Sequence, residues 1–251
     1  MRGGCRALRE VWRRASANIG AARAGATTAG ASWVPVVSRT TERRRCNGIA
    51  RPWASMSTLI PPGKTLGEVT HIELLEKEDP DAIVEIWREY HEGKNASFGA
   101  RVNPGTYRAF RDRTAKCPMF VVPLHKSPSK FLTLVMQAKE PYASFTAIDD
   151  FRKLQEAATP MLVAAHYPEL VESKGLVLVQ AKFVDADTAG AAEHLTGQEA
   201  LRLLRLAHKF YADDGLYEKF VKPFNHAQKK FDFDAYVAEV AQVTWSDDVI
   251  Q

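Results

Sequence analysis

Ile83, Ile86, Trp87 and Tyr90 recur at i, i+3, i+4 and i+7, and this single apolar stripe predicts a helix. Asp79-Pro80 before it offers a capping residue and then proline at the first helical position, where the missing N–H costs nothing. Gly93 can stop the same helix. Upstream, Leu66, Val69, His71, Leu74 and Leu75 predict a shorter helix. Asn103-Pro104 repeats the start signal for a helix that carries Tyr107, Phe110 and Arg111 and ends before Pro118.

The period then shortens. Met119 to Leu124, Phe131 to Ala138 and Tyr142 to Ile148 are β-rich runs broken by Pro, Ser and Lys, which predicts an antiparallel meander. Asp149 and Asp150 can cap a helix through Phe151, Leu154 and Gln155. Met161 to Tyr167 and Gly175 to Val184 predict two further strands around a helical turn at Pro168 to Ser173. The second is nearly continuous in apolar residues and so is expected inside the sheet. Thr196-Gly197-Gln198-Glu199 fits a capping box for a helix burying Leu201, Leu204, Ala207, His208 and Tyr211. Asp213-Asp214-Gly215 reads as its terminating turn, and Asp232 or Asp234 can cap a last helix bearing Tyr236, Val237 and Val240. The expectation is an α+β fold, a single domain with a mixed, mostly antiparallel sheet of about five or six strands packed with helices.

Composition divides the chain. Residues 1–55 hold eleven Arg, no Lys and two acids, Glu10 and Glu42, the balance of a disordered mitochondrial or plastid transit peptide. Leu8, Val11 and Trp12 among Arg6, Arg9, Arg13 and Arg14 can form an amphipathic turn set. Residues 56–65, with Ile60-Pro61-Pro62-Gly63-Lys64-Thr65, read as a linker, 66–245 as the folded domain and 246–251 as a disordered tail. Removing the leader's 11 basic and 2 acidic residues from the chain's 34 and 30 leaves 23 and 28, a net charge of −5. The mature surface therefore gives no case for nucleic acid or anionic membranes as partners. Initiation at Met56 would give a leaderless form. No run reaches the roughly 20 apolar residues of a membrane-spanning helix. Of three cysteines, Cys5 and Cys46 fall in the leader, and Cys117 alone has no partner for an internal disulfide, which suits a reducing matrix.

Chemical motifs are sparse. Gly63-Lys64-Thr65 resembles the end of a phosphate-binding loop, but position 58 is Thr where that loop needs Gly, and no strand precedes it. The seven histidines show no HxxH or HxxxH pair that would put two imidazoles on one helix face. His166 in a strand and His208 on a helix stripe suit hydrogen-bonded interior positions. Cys117 at a helix-to-strand junction suits a small buried residue, although a spatially adjacent His such as His166 would make it a nucleophile. Asp149-Asp150 and Asp213-Asp214 abut helix ends, where capping explains them. No catalytic, cofactor-binding or metal-binding residue is assigned. Most aromatics belong to helical stripes and a core; Phe98 and Phe224, in polar loops punctuated by Gly or Pro, are expected as interface anchors.

Trp87-Arg88-Glu89-Tyr90-His91, Cys117-Pro118-Met119-Phe120-Val121-Val122-Pro123-Leu124, Ala143-Ser144-Phe145-Thr146, His166-Tyr167-Pro168-Glu169-Leu170 and Lys174-Gly175-Leu176-Val177-Leu178 together resemble the family of mitochondrial ATP synthase assembly factors. The likeness covers about residues 80 to 240, in order and spacing. It implies a non-enzymatic chaperone of the mitochondrial matrix, monomeric and without cofactor, that holds the unassembled ATP synthase β subunit until the α subunit replaces it. Such a task has a physical basis, because a ring subunit exposes apolar interfaces before assembly and these associate indiscriminately. Phe98, Tyr107, Phe145, Tyr167 and Phe224 are the residues expected to touch the partner. The rival expectation is a small organellar enzyme with a Cys/His site.

Overall fold

The computed structural model describes residues 64–92, 96–127, 130–184, 195–243 and 250. The expected leader at 1–55 and all but the end of the expected linker lie outside these residues. The first expected helix is two short ones, α1 (Leu66–Val69) and α2 (Ile72–Leu75). The Glu169 carboxylate accepts from the Leu66 N–H at 2.7 Å and so fixes the start of α1. Helix α3 (Pro80–Glu92) begins at the expected proline. Strand β1 (Ser97–Val102) follows, and then α4 (Pro104–Thr114), where the Asn103 side chain accepts from the Gly105 N–H. The meander is β2 (Met119–Ser127), β3 (Lys130–Lys139) and β4 (Tyr142–Ala147).

Helix α5 (Ile148–Leu154) is capped at Ala147 and so starts earlier than expected, which puts Asp149 and Asp150 in its first turn rather than at the cap. There the carboxylates still complement the helix dipole. Strand β5 (Leu162–Tyr167), the short α6 (Val171–Lys174) ending on Gly175 in the left-handed region, and β6 (Val177–Phe183) come next. Helix α7 (Gly197–Ala212) has the complete capping box of Thr196 and Glu199. Asp213 ends α7 and its carboxylate then accepts from the Leu216 N–H to start α8 (Asp214–Leu216). The expected terminating turn is therefore a junction between helices. A π-helical turn (Tyr217–Val221) continues into α9 (Lys222–His226), and α10 (Phe233–Gln242) is capped by Asp232.

The sheet order is β1-β6-β5-β4-β3-β2, antiparallel at every pairing. β6 lies between β1 and β5, in the interior position its apolar run requires. The sheet has two covered faces because alternate residues point to opposite sides. Val177, Val179 and Ala181 join the larger core with α4, α7 and the helices that follow. Leu178 joins Ala165, Tyr167 and Leu170 in a second core under α1, α2 and α3.

Strand β1 was not expected from the sequence, and α3 explains it. The Trp87 indole crosses the strand and donates to the Val179 carbonyl at 2.9 Å. A Cβ on Gly99 would lie 2.7 Å from both Trp87 Cδ1 and the Trp87 carbonyl oxygen, so only glycine permits this approach. At the opposite edge, Asn225 accepts from the Met119 N–H and donates to its carbonyl at 2.7 Å, while the Tyr236 hydroxyl donates to Val121 at 2.6 Å. Pro123 has no N–H to offer. These features occupy backbone groups of β2 that would otherwise recruit another strand.

Candidate functional site

Cys117 is buried where α4 passes into β2, and its thiol does have a histidine. The Sγ lies 3.2 Å from the Tyr217 hydroxyl and 3.4 Å from His226 Nε2. That histidine is His226 of α9 and not His166, which faces another part of the core. Burial pushes the Cys117 thiol up, against a smaller opposing effect of the Tyr217 hydrogen bond. A thiolate nucleophile needs its pKa lowered by an electropositive, accessible setting, so this arrangement favours the neutral thiol. Tyr217 is itself covered by the Arg113 guanidinium, 4.6 Å from the ring centre. Arg113 also donates to the last carbonyls of α7, at Tyr211 (2.7 Å) and Ala212 (3.1 Å), and pairs with Asp214. The cluster thus ties α4, α7 and the π-helical turn together.

His166 and His208 meet between the sheet and α7 with their Nε2 atoms 3.0 Å apart. His166 Nδ1 lies 3.0 Å from the Pro141 carbonyl and His208 Nδ1 lies 2.8 Å from the Leu204 carbonyl. Burial lowers His166 to about 4, opposed by its bond to Pro141. Burial lowers His208 further, to about 3, helped by the neighbouring His166 charge. Phe110 stacks 4.3 Å from the His208 ring and lies 5.4 Å from His166. On the other face of the sheet, His91 Nδ1 donates to the Trp87 carbonyl at 2.8 Å while its Nε2 accepts from Gln180 at 2.9 Å. Gln180 in turn accepts from the Tyr167 hydroxyl. Each member of this chain is satisfied, so the Trp87 to His91 motif is explained by its hold on β6. No group of three or more potential metal ligands occurs among the described residues.

Four of the five residues expected as partner contacts occupy interior positions. Phe145 is 0 % and Phe224 2 % exposed; Phe224 is in α9 rather than a loop, with its ring edge-on to Phe120. Tyr107 is buried with its hydroxyl donating to Glu140 at 3.0 Å, and Tyr167 is buried in the second core. Phe98, on β1 rather than in a loop, is half-buried against Phe183. The structure does not gather these five side chains on one surface.

Exposure instead singles out Leu74 (58 %), Ile86 (43 %), Tyr90 (41 %) and Leu154 (54 %) among the large apolar residues described. Ile86 and Tyr90 share the outer face of α3 at i, i+4 spacing. Residues 73–92 around them contain eight acids and two bases, Lys77 and Arg88, all exposed. In the sequence these two belong to one apolar stripe with Ile83 and Trp87, and only the latter pair is buried. The i, i+3, i+4, i+7 spacing is that of an ordinary buried face, so the pattern itself carries no signal for which of the four stays exposed.

Comparison with known proteins adds a relationship. The family model described as ATP11 protein matches residues 27–237. ATP synthase mitochondrial F1 complex assembly factor 1 of Homo sapiens is 29% identical over 184 residues, covering 71% of this chain and 52% of that protein. The Mus musculus protein of the same name is 28% identical over 184 residues (71% and 53%), and that of Danio rerio 26% over 180 residues (71% and 57%). The chain thus spans about half the length of the curated relatives it matches.

Proposed function

Because this chain belongs to the ATP11 protein family, matched over residues 27–237, we propose that it is a chaperone for assembly of the F1 sector of the mitochondrial ATP synthase. The observation that carries this reading is that match together with the relatives named as F1 complex assembly factors. In this reading the client is the free β subunit, held in the mitochondrial matrix until the α subunit replaces it.

The chemistry of the site supports a binding role. The Cys117 thiol is buried and raised, and the imidazoles of His91, His166 and His208 are engaged within the core. What the described surface offers a partner is apolar side chains in an acidic setting on α2 and α3, with Phe98 half-exposed on β1. A chaperone must bind tightly enough to cover its client and loosely enough to be displaced. A helix face with two or three exposed apolar residues and an acidic rim meets that requirement better than a deep pocket, and it suits a client surface with a basic rim.

Cells depleted of this protein test the proposal. They are expected to accumulate insoluble β subunit and to lose assembled F1, and both should recover on re-expression of the wild-type chain or of Cys117→Ala. Failure of Cys117→Ala, if it is stably folded, would favour the thiol enzyme instead.

A further inference from the structure

The histidine pair between β5 and α7 has three contacts of hydrogen-bond length: Nε2 to Nε2 at 3.0 Å, His166 Nδ1 to Pro141 O at 3.0 Å, and His208 Nδ1 to Leu204 O at 2.8 Å. Two neutral imidazoles own two N–H hydrogens between them. They can therefore complete any two of the three bonds at once, and the remaining contact faces lone pair to lone pair. A third proton completes all three bonds and places one positive charge against the Phe110 ring, 4.3 Å from His208, where a cation–π attraction offsets part of its desolvation. A fourth proton converts the central contact into two N–H groups pointing at each other on two cations.

The titratable and charged groups around the pair are Tyr107 and Arg111 of α4, Glu140 and Tyr142 beside the β3–β4 turn, and Tyr211 of α7. Tyr107 gives its hydrogen to Glu140, Arg111 is paired with Asp112, and Tyr211 donates to the Cys117 carbonyl. Among the described residues, therefore, the bonds that govern the pair are its own. Both residues are buried, His166 3 % and His208 0 % exposed, and the pair is a direct polar tie between the sheet and α7.

We propose that His166 and His208 form a proton-operated clasp: while the pair holds two or three protons, a shared Nε2 hydrogen ties α7 to the sheet, and full protonation turns that bond into a repulsion that opens the helix. The sign follows from burial. The unfolded chain binds these protons below about 6.5, whereas the folded pair resists them until about 4 for His166. The clasp's contribution is complete above 6.5 and is lost as pH falls through that window.

The test combines two measurements on the full chain. Hydrogen exchange of the 197–212 amides, corrected for intrinsic rates, should show α7 opening increase by up to about 100-fold per pH unit on acidification, and by only about 10-fold in His208→Gln, which can donate to His166 but cannot be charged. Nitrogen NMR of the wild-type histidines at neutral pH should show one ring protonated on Nε2 and bonded to the bare Nε2 of the other, or a single proton shared between them. Equal pH dependence in wild type and His208→Gln would overturn the clasp. So would two rings both protonated on Nδ1 with no N–H···N hydrogen, a result that decides the matter alone if His208→Gln does not fold.

Discussion

At Gly99 a single missing Cβ decides how α3 meets the sheet, since Trp87 takes the space a side chain would fill. Gly99→Ala is expected to push the indole off the Val179 carbonyl and to lower stability by about 1–3 kcal/mol, the usual cost of overpacking, as read from a denaturant midpoint. Cys117 makes the opposite case. Its thiol contacts Tyr217 and His226 as a cysteine nucleophile would contact a base, yet its burial raises the pKa. Cys117→Ala should therefore leave client binding unchanged and cost no more than about 1.5 kcal/mol for the lost contacts. Thiol alkylation of the folded protein should be slow and should accelerate on unfolding.

Helix α7 shows how much an element depends on both of its ends. Thr196 and Glu199 close the box at its start, and Glu199 also pairs with Lys126 of β2 at 2.6 Å. Thr196→Ala is expected to cost about 1 kcal/mol, and Glu199→Ala more, because it removes a cap and a half-buried ion pair together. A double-mutant cycle with Lys126→Ala separates the two. These elements were legible because local rules specify them: the box at Thr196, Asn103-Pro104 for α4, proline for α3 and the β-rich runs of the meander. Strand β1 was not, because Gly99 interrupts its alternation for a reason located in α3, and six residues between two helices carry too little pattern. The continuation past Asp213 was missed because Asp-Asp-Gly suits a helix end and a new helix start equally well. Phe224 looked exposed for a similar reason: Pro223 suggests a loop, whereas here it occupies the first turn of α9.

For the whole molecule, the sequence carried the family through the order of its motifs but not the contact surface. Exposure is a property of tertiary packing, and the aromatics chosen from local polarity mostly complete the two cores. Ile250, assigned to a tail, is buried, bridges Val102 of β1 and accepts from Arg205 at 2.9 Å. Deleting residues 249–251 should therefore loosen the β1 edge and raise amide exchange at 97–102. If α2 and α3 carry the client, Ile86→Ser with Tyr90→Ser should weaken binding at least tenfold while changing stability by only about 0.5 kcal/mol per site, and raised salt should weaken it further through the acidic rim. The most direct test of the chaperone account mixes the purified chain with isolated ATP synthase β subunit, follows aggregation by light scattering, and then adds α subunit. The account requires a soluble complex of chain and β subunit that α subunit dissolves. A folded chain that leaves β subunit aggregation unaltered, or one that remains bound in the assembled α/β complex, would contradict it.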